Sequence, residues 1–261
     1  MIHELYYLLT GEVRYGLNAD IFRDAKLNAH ASNGILDVRV APFIVDMILE
    51  GKIKSDDIKF LERLKTTDAL IDYGSGGGDM LMRAAKVGNL IGIDVNPGAN
   101  RAAAEVLKSK GLSGKSQLIT GSIADDDAMA LSTAKEKMDT KGVKNPVATI
   151  NFILHDIGPN LSKQFLANHA EVFGSTPLII TETFRMPPEV LRAHPNHQAA
   201  SFQFMHKASG QNLYTEYELR ELLESCGYKV AFTQSHSSMP NADETERLTT
   251  IATWIVQFKG K

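Results

Sequence analysis

From about residue 66 onward, short runs of β-branched and aliphatic residues alternate with longer stretches whose apolar positions recur every three or four residues. The first pattern suits strands buried on both faces, the second helices with one apolar side. Seven strand-like runs emerge: ALIDYG (69–74), LIGIDV (90–95), SQLITGS (116–122), VATINFIL (147–154), PLIITET (177–183), KVAFTQS (229–235) and LTTIATWIVQF (248–258). Helices are predicted near 79–87, 98–110, 124–141, 161–172 and 215–226. The last opens on TEYE, where Thr215 can cap the first turn and Glu218 can reach back to the cap amide. This alternation predicts an α/β domain over residues 66–261, with a seven-stranded, mostly parallel sheet and helices on both faces.

Residues 1–65 break the pattern. HELYYLLTGEV and RVAPFIVDMILEGKI read as helices joined by a polar segment, so a short helical N-terminal segment is expected to cap the sheet or to make a dimer contact. RMPPEVLRAHPNHQ (185–198), with three prolines and two histidines, predicts a long irregular loop of the kind that often covers an active site.

Composition then narrows the class. With 43% hydrophobic and 23% charged residues the 261-residue chain is an ordinary globular protein. A net charge of -3 offers no general attraction to nucleic acid or to an anionic membrane, so a small-molecule substrate is expected. The single cysteine, Cys226, cannot form an internal disulfide and reads as a small buried hydrophobe. Without a secretory pattern or an apolar run of spanning length, the expected compartment is the cytoplasm.

The chemistry concentrates where strands end. DYGSGGGDM follows the first strand and precedes a helix, so its glycines can take positive φ and admit a ligand close to the backbone. Asp94 closes the second strand 20 residues beyond Gly74, where an open α/β sheet sets a carboxylate against ribose hydroxyls. The turn ends on Asp79 and holds no basic residue, which is unfavourable beside a pyrophosphate and tolerable beside a sulfonium and an ammonium group.

These residues resemble motifs of the class I S-adenosylmethionine-dependent methyltransferases. Asp72, Gly74, Gly76 and Gly78 match the acid and GxGxG of the first motif, and Asp94 matches the ribose-binding acid. The resemblance implies a Rossmann-like sheet with an antiparallel last strand and S-adenosyl-L-methionine as cofactor. It also places Ser122 and Ile123 at the adenine and Asn151 beside the nucleoside, although the acid usual next to Ser122 is missing.

NFILHDIG (151–158) sets His155 and Asp156 at the end of the fourth strand-like run, and three readings stay open. Asp156 or Asn160 could cap the next helix, with His155 merely packed. ILHDIG also looks like the ILHDW motif of small-molecule O-methyltransferases, which implies that His155 is the general base. In a third reading His155, Asp156 and His206 form a metal triad for iron or zinc. That set resembles the α-keto acid C-methyltransferases, which implies metal-assisted methylation of the β-carbon of a 2-keto acid such as phenylpyruvate or 2-ketoarginine. The keto-acid reading is preferred at this stage, with O-methylation next and a non-catalytic nucleoside-binding module third. His236 is a candidate for the proton-abstracting base, ahead of His194 and His197. Arg14 is a candidate partner for a substrate carboxylate, with Tyr15 beside it, and Glu182 or ADDDA (124–128) could meet a guanidinium. A homodimer is a further expectation, although relatives with these motifs usually dimerise through an N-terminal winged-helix region and only about 65 residues precede the first strand here.

Overall fold

The computed structural model describes residues 40–50, 52, 63–193, 203, 206–207, 210–237 and 249–260. Seven strands form one sheet: β1 (Ala69–Tyr73), β2 (Asn89–Asp94), β3 (Ser116–Thr120), β4 (Pro146–Asn151), β5 (Leu178–Thr183), β6 (Tyr228–Ser237) and β7 (Thr249–Phe258). The helices are α1 (Asp79–Arg83), α2 (Pro97–Ser109), α3 (Met129–Thr140), α4 (Leu154–Phe173), α5 (Pro188–Ala193) and α6 (Glu216–Ser225). The strand order is β3-β2-β1-β4-β5-β7-β6, and only β7 runs antiparallel to its neighbours. Every predicted strand is present.

Three boundaries differ from the sequence pattern. β4 stops at Asn151, three residues before its apolar run ends, because Phe152 takes φ 58 and turns the chain out of the sheet. Leu154 to Ile157 then form a helical turn, which Gly158 (φ 74, ψ 174) breaks before Pro159 restarts α4. The segment expected to be a bare loop after β5 carries the short helix α5. α6 begins as expected, with Thr215 and Glu218 completing a reciprocal cap.

Alternation along the strands divides the core into two layers. Ile71, Tyr73, Ile93, Ile150, Ile180 and Trp254 face α3, α4 and α6, where Leu131, Phe165 and Leu219 meet them. Leu70, Leu90, Val147, Ile179 and Ile255 face the other way, against Met80 and Leu81 of α1 and Leu107 of α2. Val40, Ala41 and Ile44, all fully buried, join this second layer, Ile44 from within a π-helical stretch, Phe43–Leu49, and the other two from just before it, so this part of the N-terminal segment lies on the sheet.

One polar residue lies deep in the first layer. His169 of α4 is fully buried, its rings of contact are Tyr73, Phe165, Phe173 and Tyr228, and neither ring nitrogen has a hydrogen-bond partner. Burial therefore drives its pKa down from 6.5 to about 3, and the folded chain keeps it neutral. The unfolded chain protonates this histidine below 6.5 while the folded chain does not, so its contribution to stability is complete above 6.5 and is lost as the pH falls toward 3. Replacing His169 by Phe removes that loss. The stability difference between His169→Phe and the wild type, read from denaturant titrations, is expected to grow by about 1.5 kcal/mol in favour of the variant between pH 6.5 and 5.

Candidate active site at the carboxyl edge of the sheet

Backbone geometry builds the first half of the site. After β1 the amides of Gly74 and Ser75 both donate to the Ile93 carbonyl, at 2.8 and 3.1 Å, which bends the chain over the end of β2. Gly74 takes φ +69, and a Cβ there would sit 2.5 Å from the Cδ1 of Ile153, so the turn is pressed against the loop leaving β4. Gly76 takes φ +49 with nothing within 4 Å of where its Cβ would be, which leaves open space above the turn. Gly78, at φ +82, is the N-cap of α1.

Asp94 holds this turn from the neighbouring strand. Its Oδ2 accepts from the Gly76 amide and its Oδ1 from the Asn96 amide, each at 2.8 Å. Asn96 in turn caps α2, accepting from the amides of Gly98 and Ala99. Asp72 lies beneath, 4% exposed, where its Oδ1 accepts from the Thr149 hydroxyl at 2.8 Å. Burial pushes the Asp72 carboxyl up to about 7, with the negative charges of Asp94 and Asp79 adding to it, against the lowering hydrogen bonds of Thr149 and Asn151. Asn151 closes β4 on the same face, and its Oδ1 is buried without a partner.

After β3 the expected adenine contacts separate. Ile123 is 7% exposed with its side chain in the first core layer, so only its backbone can meet a ligand. The Ser122 hydroxyl accepts from the Ala124 amide at 3.1 Å.

The second half of the site is an acid–base pair. Glu182 of β5 is fully buried; its Oε1 accepts from the Leu154 amide at 2.8 Å, and its Oε2 lies 2.7 Å from His155 Nδ1. A carboxylate only accepts, so Nδ1 carries the proton of the neutral imidazole and Nε2 is left as the basic nitrogen. Burial alone would depress the His155 pKa, but the Glu182 charge and hydrogen bond, with Asp156 adding, outweigh it and raise the pKa above 6.5. Sequence reading considered Glu182 only as a partner for a substrate guanidinium. The signal for its real place was an acid inside the apolar run PLIITET, since a charge in a central strand needs a buried partner.

The structure brings Asp156 and His206 into the same neighbourhood without making them converge. Asp156 Oδ1 lies 3.7 Å from His155 Nε2 and accepts from the Gln211 side-chain amide. The His206 ring stands edge-on to that of His155, with centroids 5.4 Å apart. Among the described residues no three His, Cys, Asp or Glu side chains are arranged to hold a metal ion, so the donor set does not fit the expected triad. His236 belongs to another group: its Nε2 is 2.8 Å from Thr253 Oγ1, which is 3.0 Å from Thr181 Oγ1, and its ring abuts Phe43. Thr181 and Glu182 are consecutive in β5 and point to opposite faces, so His236 sits across the sheet from Glu182. Arg14, Tyr15, His194 and His197 lie outside the described residues.

Asp72 has a measurable signature. Its carboxyl titrates near 3.8 when unfolded and near 7 when folded, so its contribution to stability is complete below 3.8 and is lost as the pH rises through 7. Asp72→Asn keeps an acceptor for Thr149 and has no charge to bury. Its stability relative to the wild type is expected to rise with pH and level off above 7, by up to about 4 kcal/mol, as read from denaturant melts across pH.

No protein-family model and no curated protein matches the sequence. Solved structures do. The pyocyanin biosynthetic protein PhzM aligns over 98% of this chain and 67% of its own, at a TM-score of 0.63 and 13% identity. An O-methyltransferase family protein from Burkholderia thailandensis aligns over 85% and 57%, at 0.56 and 16%. An S-adenosylmethionine-dependent methyltransferase from Clostridium acetobutylicum ATCC 824 aligns over 90% and 99%, at 0.56 and 12%. The chain thus spans about two thirds or less of the first two and nearly the whole of the third. With β1 at the centre of the sheet, β7 inserted antiparallel and a glycine turn after β1, this chain has the Rossmann-like fold of S-adenosylmethionine-dependent methyltransferases.

Proposed function

We propose that the chain is an S-adenosylmethionine-dependent methyltransferase that methylates the hydroxyl oxygen of a small molecule, with His155 as general base. The observation that carries this reading is the buried Glu182–His155 pair, presented in the first helical turn beyond β4, just after Ile153, which lies against Gly74 of the glycine turn. Asp94 would take the ribose hydroxyls, the open side of Gly76 would let the nucleoside approach, and the acidic surroundings of Asp72 and Asp79 suit a cation. S-adenosylmethionine, when bound, supplies an electrophilic methyl group on a positively charged sulfur.

The chain's own residues account for the proton. An acceptor hydroxyl would hydrogen-bond to His155 Nε2 and give up its proton there as its oxygen takes the methyl group, with the electron pair of the carbon–sulfur bond left on the donor's sulfur. The imidazolium is stabilised by Glu182, whose Oε2 lies 2.7 Å from Nδ1. One structure with this fold, from Burkholderia thailandensis, is an O-methyltransferase family protein, which supports the same reading.

The metal-assisted 2-keto acid reading has no such support: among the described residues no group of three His, Cys, Asp or Glu side chains is arranged to hold a metal ion. No step is assigned to a metal.

His155→Ala is expected to lower kcat by about 10²- to 10⁴-fold, measured by methyl transfer from labelled cofactor to a panel of phenols, with binding of the demethylated product unchanged. Activity should rise with pH with a midpoint above 6.5, because the base works deprotonated and Glu182 raises its pKa. Glu182→Gln should move that midpoint down and lower the plateau. Full activity in His155→Ala, or activity that a chelator abolishes and zinc or iron restores, contradicts this mechanism.

A further inference from the structure

The loop between β3 and α3 is tied to the helix that carries His155 by one buried side chain. Asn168 of α4, 2% exposed, donates from Nδ2 to the carbonyls of Ile123 at 3.3 Å and Asp125 at 2.8 Å. Gln164, one turn earlier, donates from Nε2 to Asn168 Oδ1 at 2.8 Å. The orientation of the Asn168 amide is therefore determined: its oxygen is engaged by a donor, and its nitrogen faces two acceptors.

Other hydrogen bonds described within the loop are local. Ser122 Oγ accepts from the Ala124 amide, the Asp125 carbonyl from the Ala128 amide, and Asp127 Oδ1 from the Met129 amide. Ala128 enters the left-handed region at φ 48, a conformation that a non-glycine residue holds only where its surroundings fix it. The Ile123 side chain is buried in the core, so the loop presents backbone, and the direction of that backbone is what Asn168 sets. Because the peptide unit is trans and planar, turning the Asp125 carbonyl toward Asn168 turns the Asp126 amide the opposite way, away from α4.

We propose that Asn168 is a positioning residue for cofactor binding: it fixes the Ile123–Asp125 backbone on the adenine side of the donor pocket and registers that backbone against the helix whose first turn carries His155. This rests on the methyltransferase reading above. α4 then serves both halves of the site from either side of its break at Gly158, its first turn held by Glu182 and its longer part holding the nucleoside loop.

The test uses the full chain and S-adenosylhomocysteine as probe. Asn168→Ala takes the side-chain donor from the buried Ile123 carbonyl and leaves the Asp125 carbonyl only its local bond from the Ala128 amide, and calorimetric affinity is expected to fall about tenfold or more. In the ligand-free variant, hydrogen exchange should quicken at the amides of residues 122–127 and stay slow in β1, β4 and α4; a general loss of structure would quicken all of them. Should Asn168→Ala fail to fold, Gln164→Glu serves instead. A carboxylate there accepts from the Asn168 amide and draws its nitrogen away from the loop, so affinity should fall in the same direction. Wild-type protein that binds the probe, with both variants binding equally well, overturns the role of Asn168 alone. Wild-type protein that does not bind it overturns the methyltransferase reading and this inference together.

Discussion

The carboxylate of Glu182 is the constraint on which the candidate site depends. A fully buried carboxylate costs several kcal/mol in lost hydration unless donors surround it. Here the donors are the first free amide of α4 and the Nδ1 of its second residue. A helix N-terminus stabilises negative charge, so the acid and the helical turn hold each other in place. The chain meets this demand by ending β4 at Asn151, turning through Phe152 and forming a single helical turn before Gly158. Ser162 closes over the break, its hydroxyl donating to the Leu154 carbonyl and accepting from the Tyr214 hydroxyl. The Asn212 amide adds a bond to the His155 carbonyl. What looks like a defect in a long helix is the geometry that delivers a basic nitrogen to the sheet edge.

The two faces of the sheet divide the chemistry. On one, Asp72, Thr149 and Asn151 form a polar row beneath the glycine turn, and Thr181, Thr253 and His236 continue it across β5, β7 and β6. On the other, Glu182 lies against His155 Nδ1. Both meet at the carboxyl edge, since a strand sends consecutive residues to opposite faces and the two ladders end at the same height.

Fold was legible because it depends on repeated signals. Seven apolar runs, each bounded by a turn, leave few arrangements in a sheet, and the capping pair of Thr215 and Glu218 appears where the motif put it. The glycine turn and Asp94 could be paired from spacing alone because consecutive strands β1 and β2 are adjacent. Glu182 and His155 could not: they lie 27 residues apart on separate elements, and their contact depends on where β4 ends, which a run of apolar letters through Leu154 conceals. The supposed triad failed for a related reason. Sequence spacing can bring His155, Asp156 and His206 to one region, but the directions of the His155 ring and the Asp156 carboxylate also depend on Glu182 and Gln211, which the spacing does not contain.

Three ionisable groups in this core set how the stability of the chain changes with pH, and two of them, Asp72 and His169, pull it in opposite directions between 3.8 and 6.5. Asp72 and His155 hold protons more tightly when folded, so each favours the folded state at lower pH, whereas His169 excludes its proton and favours it at higher pH. Their opposition flattens the pH dependence of the ligand-free protein, and a cation above the glycine turn would upset that balance. It would favour the ionised form of Asp72, which has only neutral hydrogen-bond donors, Thr149 and Asn151, among the causes that lower its pKa. Binding of a cationic ligand should then release a proton from the protein, whereas a neutral ligand of the same shape should release less. The acid beneath the turn thereby gives the site a preference by charge, without any direct contact between the buried carboxylate and the ligand.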